Sequence, residues 1–271
     1  MSADRIPGML RANPLRPIGS AFLRFLEATG QLTTFTVLSV SHFFRPPIYL
    51  RLIGRQMIDV GYYSLPVVGL TTLFSGMVIA LQSFTGATRI SSEGALLTVT
   101  SVVVLSITRE LSPVLAGLMV SGRVGAAMAA EIGTMRVTEQ IDALTTLSTN
   151  PYKYLVVPRI IAGLAMLPLL VFVGDVIGIF GGYIIGVLKL DFNAATYIQK
   201  TWDFIEFLDI FSGLVKAAVF GFVVTLMGCY MGYHSTGGAQ GVGAATTNAV
   251  VSAAVLILIL NYFISQMFFG V

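Results

Sequence analysis

Arg109 and Glu110 are the residues whose place in the sequence points most directly to chemistry. They are the only charged residues between Gly94 and Gly122. This run is long enough to cross a hydrocarbon core of about 30 Å, with the pair near the middle of its depth. A charge there costs at least about 2.5 kcal/mol, so it persists where it faces a bundle interior or a wet cavity and has partners. Neighbouring helical side chains point about 100° apart, so we expect a different partner for each.

Two roles remain open for this charged pair. It is either a polar point on a substrate path or a structural ion pair with other spans, for which Asp175 is a candidate partner. Pro113 has no N–H, so it frees the carbonyl of Arg109 and is expected to kink the helix there. The first role predicts that charge-neutral substitutions leave the protein folded and inserted while transport is impaired.

The composition is that of an integral membrane protein. Hydrophobic residues make up 55% of the 271 positions and charged residues only 11%, compared with about 25% in soluble domains. The mean hydropathy is +0.85. We expect an all-α protein that forms one domain, residues 1–271, with an N-terminal interfacial region at 1–56 and a transmembrane bundle at 57–271.

The N-terminal region is expected to lie at the membrane surface and to remain in the mature protein, because it has no signal-peptide pattern. Residues 18–44 are apolar but interspersed with charged and hydroxyl side chains, which favours an interfacial helix. The alternative is a first full crossing at 28–44. Residues Arg45-Pro46-Pro47 then break the helix. Arg51 and Arg55, one turn apart, are expected to reach the same layer of anionic headgroups.

Five membrane spans are expected after this region. The first carries Pro66, Gly69, Gly76 and Gln82 in an uncharged stretch, which favours a broken or re-entrant span. In the fourth, Lys216 is expected near the outer end, where its ammonium reaches the interface. The expected spans cover about residues 61–88, 96–122, 156–188, 210–232 and 248–267.

Basic residues predict the orientation of these spans. Seven arginines precede position 56, and by the positive-inside rule their side of the membrane is cytoplasmic. The acidic stretch 189–209 then lies on the opposite side, and the glycine-rich stretch 234–247 is expected to be a loop. A second basic cluster on the cytoplasmic side consists of Arg123, Arg136, Lys153 and Arg159.

Small residues repeat at four-residue spacing in three of the helices, which predicts tightly packed spans or a seam between two copies. The three ladders are Gly125, Ala129 and Gly133; Gly178, Gly182 and Gly186; and Gly213, Ala217 and Gly221.

Residues 134–147 form an amphipathic pattern between spans 2 and 3. Val137, Ile141 and Leu144 fall on one helical face, and polar residues occupy the other. We expect a helix across the cytoplasmic end of the bundle. It is either a docking element for a soluble partner or a solvated connector, and the pattern leaves both open.

Catalytic and metal-binding motifs are absent from the sequence. There is no phosphate-binding loop of the form G-x-x-x-x-G-K-[ST], so any ATP is expected to be consumed by another protein. His42 and His234 lack carboxylates at ligand spacing, so we expect neither a metal site nor a catalytic residue. An ion-coupled secondary transporter that uses Glu110 and Asp175 remains an alternative, as does a structural adaptor without transport.

The segment at residues 108–144, TRELSPVLAGLMVSGRVGAAMAAEIGTMRVTEQIDAL, resembles the signature of the MlaE/YrbE permease family, the membrane subunits of MCE-type ABC transporters. Residues 150–159 and 238–250 add to the similarity. The resemblance implies a homodimeric permease of the bacterial inner membrane that moves phospholipid or a related lipid to or from a periplasmic ring of MCE proteins. A separate cytoplasmic ATPase would use the ATP, and this chain would bind neither cofactor nor nucleic acid.

The resemblance also implies roles for individual residues. Arg109, Glu110 and Leu111 would lie on the lipid path, together with Ile79, Gln82 and Phe84 of the first span. A coupling helix from Glu131 to Leu144 would contact the ATPase. Its contact residues would be Glu131, Gly133, Thr134, Met135, Glu139, Gln140 and Asp142.

Overall fold

The computed structural model describes residues 15–43, 49–90 and 95–270, and within these ranges it contains helices and no strand. Five helices are long and apolar enough to cross a membrane, which confirms the expected all-α membrane fold. The predicted break at residues 45–47 lies outside the described residues. The spans are Leu50–Thr88, Leu96–Val137, Tyr152–Leu188, Phe207–Tyr233 and Gly238–Phe269.

Eleven α-helices follow one another in the described ranges, and four shorter turns of other helical types interrupt or join them. We call the end of the bundle near Leu50, Val137 and Tyr233 the basic end. The α-helices are α1 (Leu15–Ser41), α2 (Leu50–Val60), α3 (Leu65–Ile90), α4 (Ala95–Ser106), α5 (Ser112–Val120), α6 (Ala126–Val137), α7 (Gln140–Thr146), α8 (Val157–Leu188), α9 (Ala194–Phe204), α10 (Phe207–Tyr233) and α11 (Gly238–Phe269). The π-helical turns are Ile107–Leu111, Ser121–Gly125 and Tyr152–Val156, and Tyr62–Ser64 is a 3₁₀ turn.

Helix α1 is not among the helices with the length and hydropathy of a span in the described part of the chain. Phe35 and Ser39 are buried against the bundle, whereas Phe22 and Leu23 are 61% and 66% exposed. This pattern fits a helix with one face on the bundle, and its interfacial position stays a prediction.

The interruption of the first span lies at Tyr62–Ser64, at the beginning of the predicted stretch, and α3 is continuous from Leu65 to Ile90. Pro66 is accommodated because it lies in the first turn of α3, where a missing N–H costs no helical hydrogen bond. The guanidinium of Arg123 donates to Ser64 Oγ at 2.8 Å and to the carbonyl of Asp59, so span 2 holds the junction of α2 and α3.

The fifth span begins earlier than expected. Helix α11 starts at Gly238, so most of the stretch predicted as a loop is helical. Gly237 and Gly238 have φ of +92° and +67°, and this left-handed pair turns the chain between α10 and α11. The glycines of this stretch favour a loop in the sequence, but in membrane helices glycine is common and serves close packing.

The glycine ladders pack spans of this chain against one another, which confirms the expected close packing. A Cβ on Gly76 would lie 1.9 Å from the carbonyl oxygen of Gly178, where α3 crosses α8. A Cβ on Gly221 would lie 2.2 Å from the carbonyl oxygen of Gly163, where α10 crosses α8. These backbones touch, so no larger residue fits without moving a helix.

Helix α9 lies in the acidic stretch and packs on the half of α8 away from the basic end. Tyr197 contacts Gly182 and Gly186, which have no side chains to obstruct its ring. Burial raises the pKa of Tyr197 to about 12, because the ionised side chain would lose its solvation there.

The prediction of a single amphipathic helix at 134–147 is wrong, because two helices cover this stretch. Helix α6 ends at Val137, Glu139 adopts a left-handed conformation with φ of 59°, and α7 begins at Gln140. The turn brings Ile141, 1% exposed, into an apolar cluster with Phe35 and other residues of the basic end. A straight helix would not return Ile141 to the bundle, and Val137 stays 40% exposed.

We expect Gly76→Ala to destabilise the protein by about 1–3 kcal/mol, because the added methyl group overpacks the crossing of α3 and α8. Thermal unfolding of the detergent-solubilised chain measures the loss. The matched control is Gly86→Ala in the same helix, where a Cβ has nothing within 4 Å. Equal melting temperatures for the two variants would contradict the close crossing.

Candidate functional site

The π-helical turn at Ile107–Leu111 is the local structure that displays the charged pair. Pro113 follows it in the first turn of α5 and offers no N–H to the carbonyl of Arg109. That carbonyl accepts a hydrogen bond from Lys216 Nζ at 2.7 Å. The expectation that Pro113 leaves this carbonyl in need of a donor is confirmed.

Glu110 binds donors from two other spans. Its Oε1 accepts from Lys216 Nζ on α10 at 2.8 Å and from Ser265 Oγ on α11 at 2.8 Å. Its Oε2 accepts from Asn261 Nδ2, also on α11, at 2.7 Å. One carboxylate therefore joins spans 2, 4 and 5.

Arg109 has a separate partner, as the helical geometry requires. Its Nε donates to Asp209 Oδ1 at 2.6 Å, and its guanidinium lies 4.2 Å from the centroid of the Phe269 ring. Asp209 is 1% exposed and also accepts from the backbone N–H of Glu206 at the start of α10. The expected partnership with Asp175 is wrong, because Asp209 occupies this position instead.

The charged pair lies closer to the end of the bundle opposite the basic end than the expected mid-depth. Asp209 is in the first turn of α10, and Phe269 is the last residue of α11. Span 2 continues as helix to Val137, beyond the expected limit at Gly122, so Arg109 and Glu110 fall within its first half. The two ion pairs carry no net charge, which reduces their cost in an apolar region.

Lys216 does not reach the interface as expected. Its side chain is fully buried, and its ammonium binds the Arg109 carbonyl and the Glu110 carboxylate. The sequence reasoning missed four residues of this site: Asp209, Lys216, Asn261 and Ser265. A usable signal existed, because Lys216 is the only basic residue in its span and Asn261 and Ser265 share one face of α11 at four-residue spacing.

Asp175 lies in the middle of α8 and is 5% exposed. Neither of its carboxylate oxygens has a hydrogen-bond partner among the described residues. At the neighbouring Gly174, a Cβ would lie 2.9 Å from Ser112 Oγ, and that hydroxyl donates to the carbonyl of Val171 at 3.1 Å. Asp175 is thus close to span 2 but separate from the Glu110 network.

The other residues expected on a substrate path fall into two groups. Ile79, Phe84 and Leu111 are partly buried in one apolar cluster around Ile107, where α3 meets span 2. Gln82 is exposed on α3. Arg109 and Glu110 instead contact α10 and α11, so the structure brings the apolar members together but not with the charged pair.

The residues expected to contact an ATPase fall into a group that packs against the bundle and a group that is exposed. Gly133 packs against the loop after α10, where Ser235 Oγ donates to its carbonyl, and Met135 is partly buried. Glu131 forms an ion pair with Arg159 at 2.8 Å, and Asp142 forms one with Arg136 at 2.8 Å. The exposed members of the set are Glu131, Thr134, Glu139, Gln140 and Asp142.

The model of one protein family, described as Permease MlaE, matches residues 53–267. The chain belongs to the MlaE permease family. The resemblance carried by residues 108–144 is thereby confirmed, and the five helices agree with a multi-pass permease. The matched region begins in α2, includes spans 2 to 4 completely and covers all but the ends of spans 1 and 5.

Curated relatives of this MlaE-family chain include proteins named as permeases. A Rickettsia felis protein named probable ABC transporter permease protein is 56% identical over 259 residues, 96% of this chain and 99% of the relative. The Haemophilus influenzae protein named intermembrane phospholipid transport system permease protein MlaE is 34% identical over 220 residues, 81% of this chain and 83% of the relative. The Arabidopsis thaliana protein named TRIGALACTOSYLDIACYLGLYCEROL 1, chloroplastic, is 36% identical over 215 residues, which are 79% of this chain and 61% of the relative.

We expect Glu110→Gln to lower the free energy of unfolding by about 3 kcal/mol, because it leaves the buried ammonium of Lys216 without a counter-charge. The double variant Glu110→Gln/Lys216→Met removes both charges and should recover part of this loss. Unfolding in detergent measures the three proteins.

The matched control is Asp203→Asn, which breaks the exposed pair of Lys200 and Asp203. We expect it to cost less than about 1 kcal/mol. Equal losses for Glu110→Gln and Asp203→Asn would show that burial of Lys216 does not govern the stability of the site.

Proposed function

We propose that this chain is the permease subunit of an ABC transporter that moves phospholipid or a related lipid between the bacterial inner membrane and a periplasmic ring of MCE proteins. One observation carries the proposal: the side chains of Arg109 and Glu110 are 32% and 43% exposed although they lie within a membrane span. Both side chains keep their ion pairs while part of each lies on the surface of the chain. A lipid headgroup passing this point would meet charges of both signs on a surface without net charge.

A second copy of the chain fits the same surface. Exposed apolar side chains of α11, among them Val251, Leu258 and Tyr262, lie on the helix that supplies Asn261 and Ser265 to Glu110. Pairing two chains over this helix would shelter Glu110 and Arg109 in a central cavity. In the proposed homodimer the lipid path therefore runs between the copies.

The ATPase is proposed to bind at the basic end, which we assign to the cytoplasmic side. The exposed polar residues Glu139, Gln140 and Asp142 lie on the turn and on α7, while Ile141 anchors this helix in the bundle. A partner that moves α7 would move the basic ends of spans 2 and 3 with it. ATP is used by that partner, and this chain is proposed to bind no cofactor.

Reconstitution of the purified complex tests this function. The ATPase should copurify with the chain, and labelled phospholipid should leave proteoliposomes in an ATP-dependent manner. We expect the double variant Arg109→Gln/Asp209→Asn to slow transfer at least tenfold while remaining folded, because removing both partners leaves no uncompensated buried charge.

The matched control for this variant is Lys200→Gln/Asp203→Asn, which removes an exposed ion pair of α9. It should transfer lipid at the wild-type rate. Wild-type transfer by both double variants would contradict a lipid path at Arg109, and transfer driven by an ion gradient without nucleotide would contradict the ABC mechanism.

The unpartnered carboxyl of Asp175 favours one alternative, an ion-coupled transporter that uses Asp175 and Glu110. An ionised carboxylate without partners is costly in an apolar interior, so a purely structural Asp175 is expected to be neutral. Under our proposal, Asp175→Asn keeps ATP-driven transfer and at least wild-type thermal stability. Transfer that depends on an ion gradient in the wild type and is lost in Asp175→Asn would support the alternative instead.

A further inference from the structure

A polar cavity of about 430 Å³ lies at the basic end, between α2, the end of α6 and the start of α8. Its wall carries two arginines, Arg55 and Arg159, and two carboxylates, Asp59 and Glu131. Leu52 and Leu155 contribute apolar surface beside them. A second cavity of about 200 Å³ shares Asp59 and Glu131 with the first, so the polar surface continues toward Arg123.

The charged groups of this wall are incompletely paired. Arg159 is 4% exposed, and it donates to the carbonyl of Leu155 and to Glu131, but its Nε has no partner in the part of the chain that the structure describes. Within the same ranges, the side chains of Arg55 and Asp59 form no hydrogen bond or ion pair, and the Asp59 carboxylate interacts with Arg123 only through the electrostatic field. A buried guanidinium N–H without an acceptor is unfavourable, because the group has lost its hydrogen bonds to water. The wall thus offers both unpaired donors and an unpaired carboxylate.

We propose that this cavity binds the headgroup of a zwitterionic phospholipid of the ethanolamine class from the membrane leaflet at the basic end. The phosphate accepts hydrogen bonds from Arg55 and the Arg159 guanidinium, which suit phosphate oxygens. The ammonium binds Asp59 and the free oxygen of Glu131. The proposal concerns a bound lipid away from the Arg109 site and does not depend on transport.

The balance of charges in the wall selects this ligand class. A purely anionic ligand would be attracted by the two arginines but repelled by the two carboxylates. A purely cationic ligand would be attracted by the carboxylates but repelled by the arginines. A zwitterion satisfies both without adding net charge. Leu52, Met135 and Leu155 in the wall give acyl chains attached to the headgroup an apolar surface.

The position of the cavity gives the bound lipid a structural consequence. Helix α2 is separated from α3 by the turn at Tyr62–Ser64. A headgroup held by Arg55 and Asp59 on one side and by Glu131 and Arg159 on the other would tie α2 to spans 2 and 3. The lipid is therefore expected to stabilise the folded chain.

The test is thermal unfolding of the full chain, delipidated in detergent, during titration with short-chain phosphatidylethanolamine. We expect a saturable rise in melting temperature for the wild type and at least tenfold weaker apparent affinity for Arg55→Gln. The matched control is Arg51→Gln, which removes the same charge one turn earlier on α2, outside the described wall of the cavity. It should keep the wild-type affinity.

Two further measurements separate the ligand classes. Asp59→Asn should weaken binding of phosphatidylethanolamine but not of phosphatidylglycerol with the same chains, because only the former carries an ammonium. Glycerophosphoethanolamine and inorganic phosphate, which lack acyl chains, should stabilise the protein far less. Equal affinity of Arg55→Gln and wild type, equal weakening by Arg51→Gln, indifference to Asp59→Asn, or equal stabilisation by the soluble compounds would each overturn the proposal.

Discussion

The buried ammonium of Lys216 is the charge on which the packing of spans 2, 4 and 5 depends. It has three N–H donors and no contact with solvent, so acceptors must come from the protein. The π-helical turn supplies two of them, the carbonyl of Arg109 and the carboxylate of Glu110. Pro113 makes the first available by withholding the N–H that would otherwise occupy it. Proline, glutamate and lysine thus form one unit, although they lie on two helices.

Close approach of the backbones is the steric condition for this interaction. Gly213 lies three residues before Lys216, and a Cβ there would be 2.6 Å from the carbonyl oxygen of Thr108. Without a side chain at Gly213, α10 can approach the π-helical turn closely enough for the ammonium to reach it. The small-residue ladder of span 4 therefore has an electrostatic consequence as well as a packing role.

Sequence patterns predicted the spans and the separate partners of the charged pair because these follow from hydropathy and from the angle between adjacent helical residues. They did not identify the partners. The sequence places Asp209 in the acidic stretch between two spans and Lys216 near the end of a span. The number of residues between a side chain and the end of its span does not show whether that side chain faces the interior of the bundle. The turn at Glu139 was also not predicted, because it returns Ile141 to the bundle and so depends on tertiary packing.

Span 2 offers a physical route between the basic end and the charged pair. It is helical from Leu96 to Val137 and contains two π-helical turns, a feature that often occurs at functional positions. Arg123, in the second turn, holds Ser64 and the carbonyl of Asp59, whereas the first turn holds Lys216. A displacement of α7 would act on α6 through the ion pair of Arg136 and Asp142. Both turns lie on the same span, so we infer that a displacement transmitted along it would act on the α2–α3 junction and on the Glu110 network.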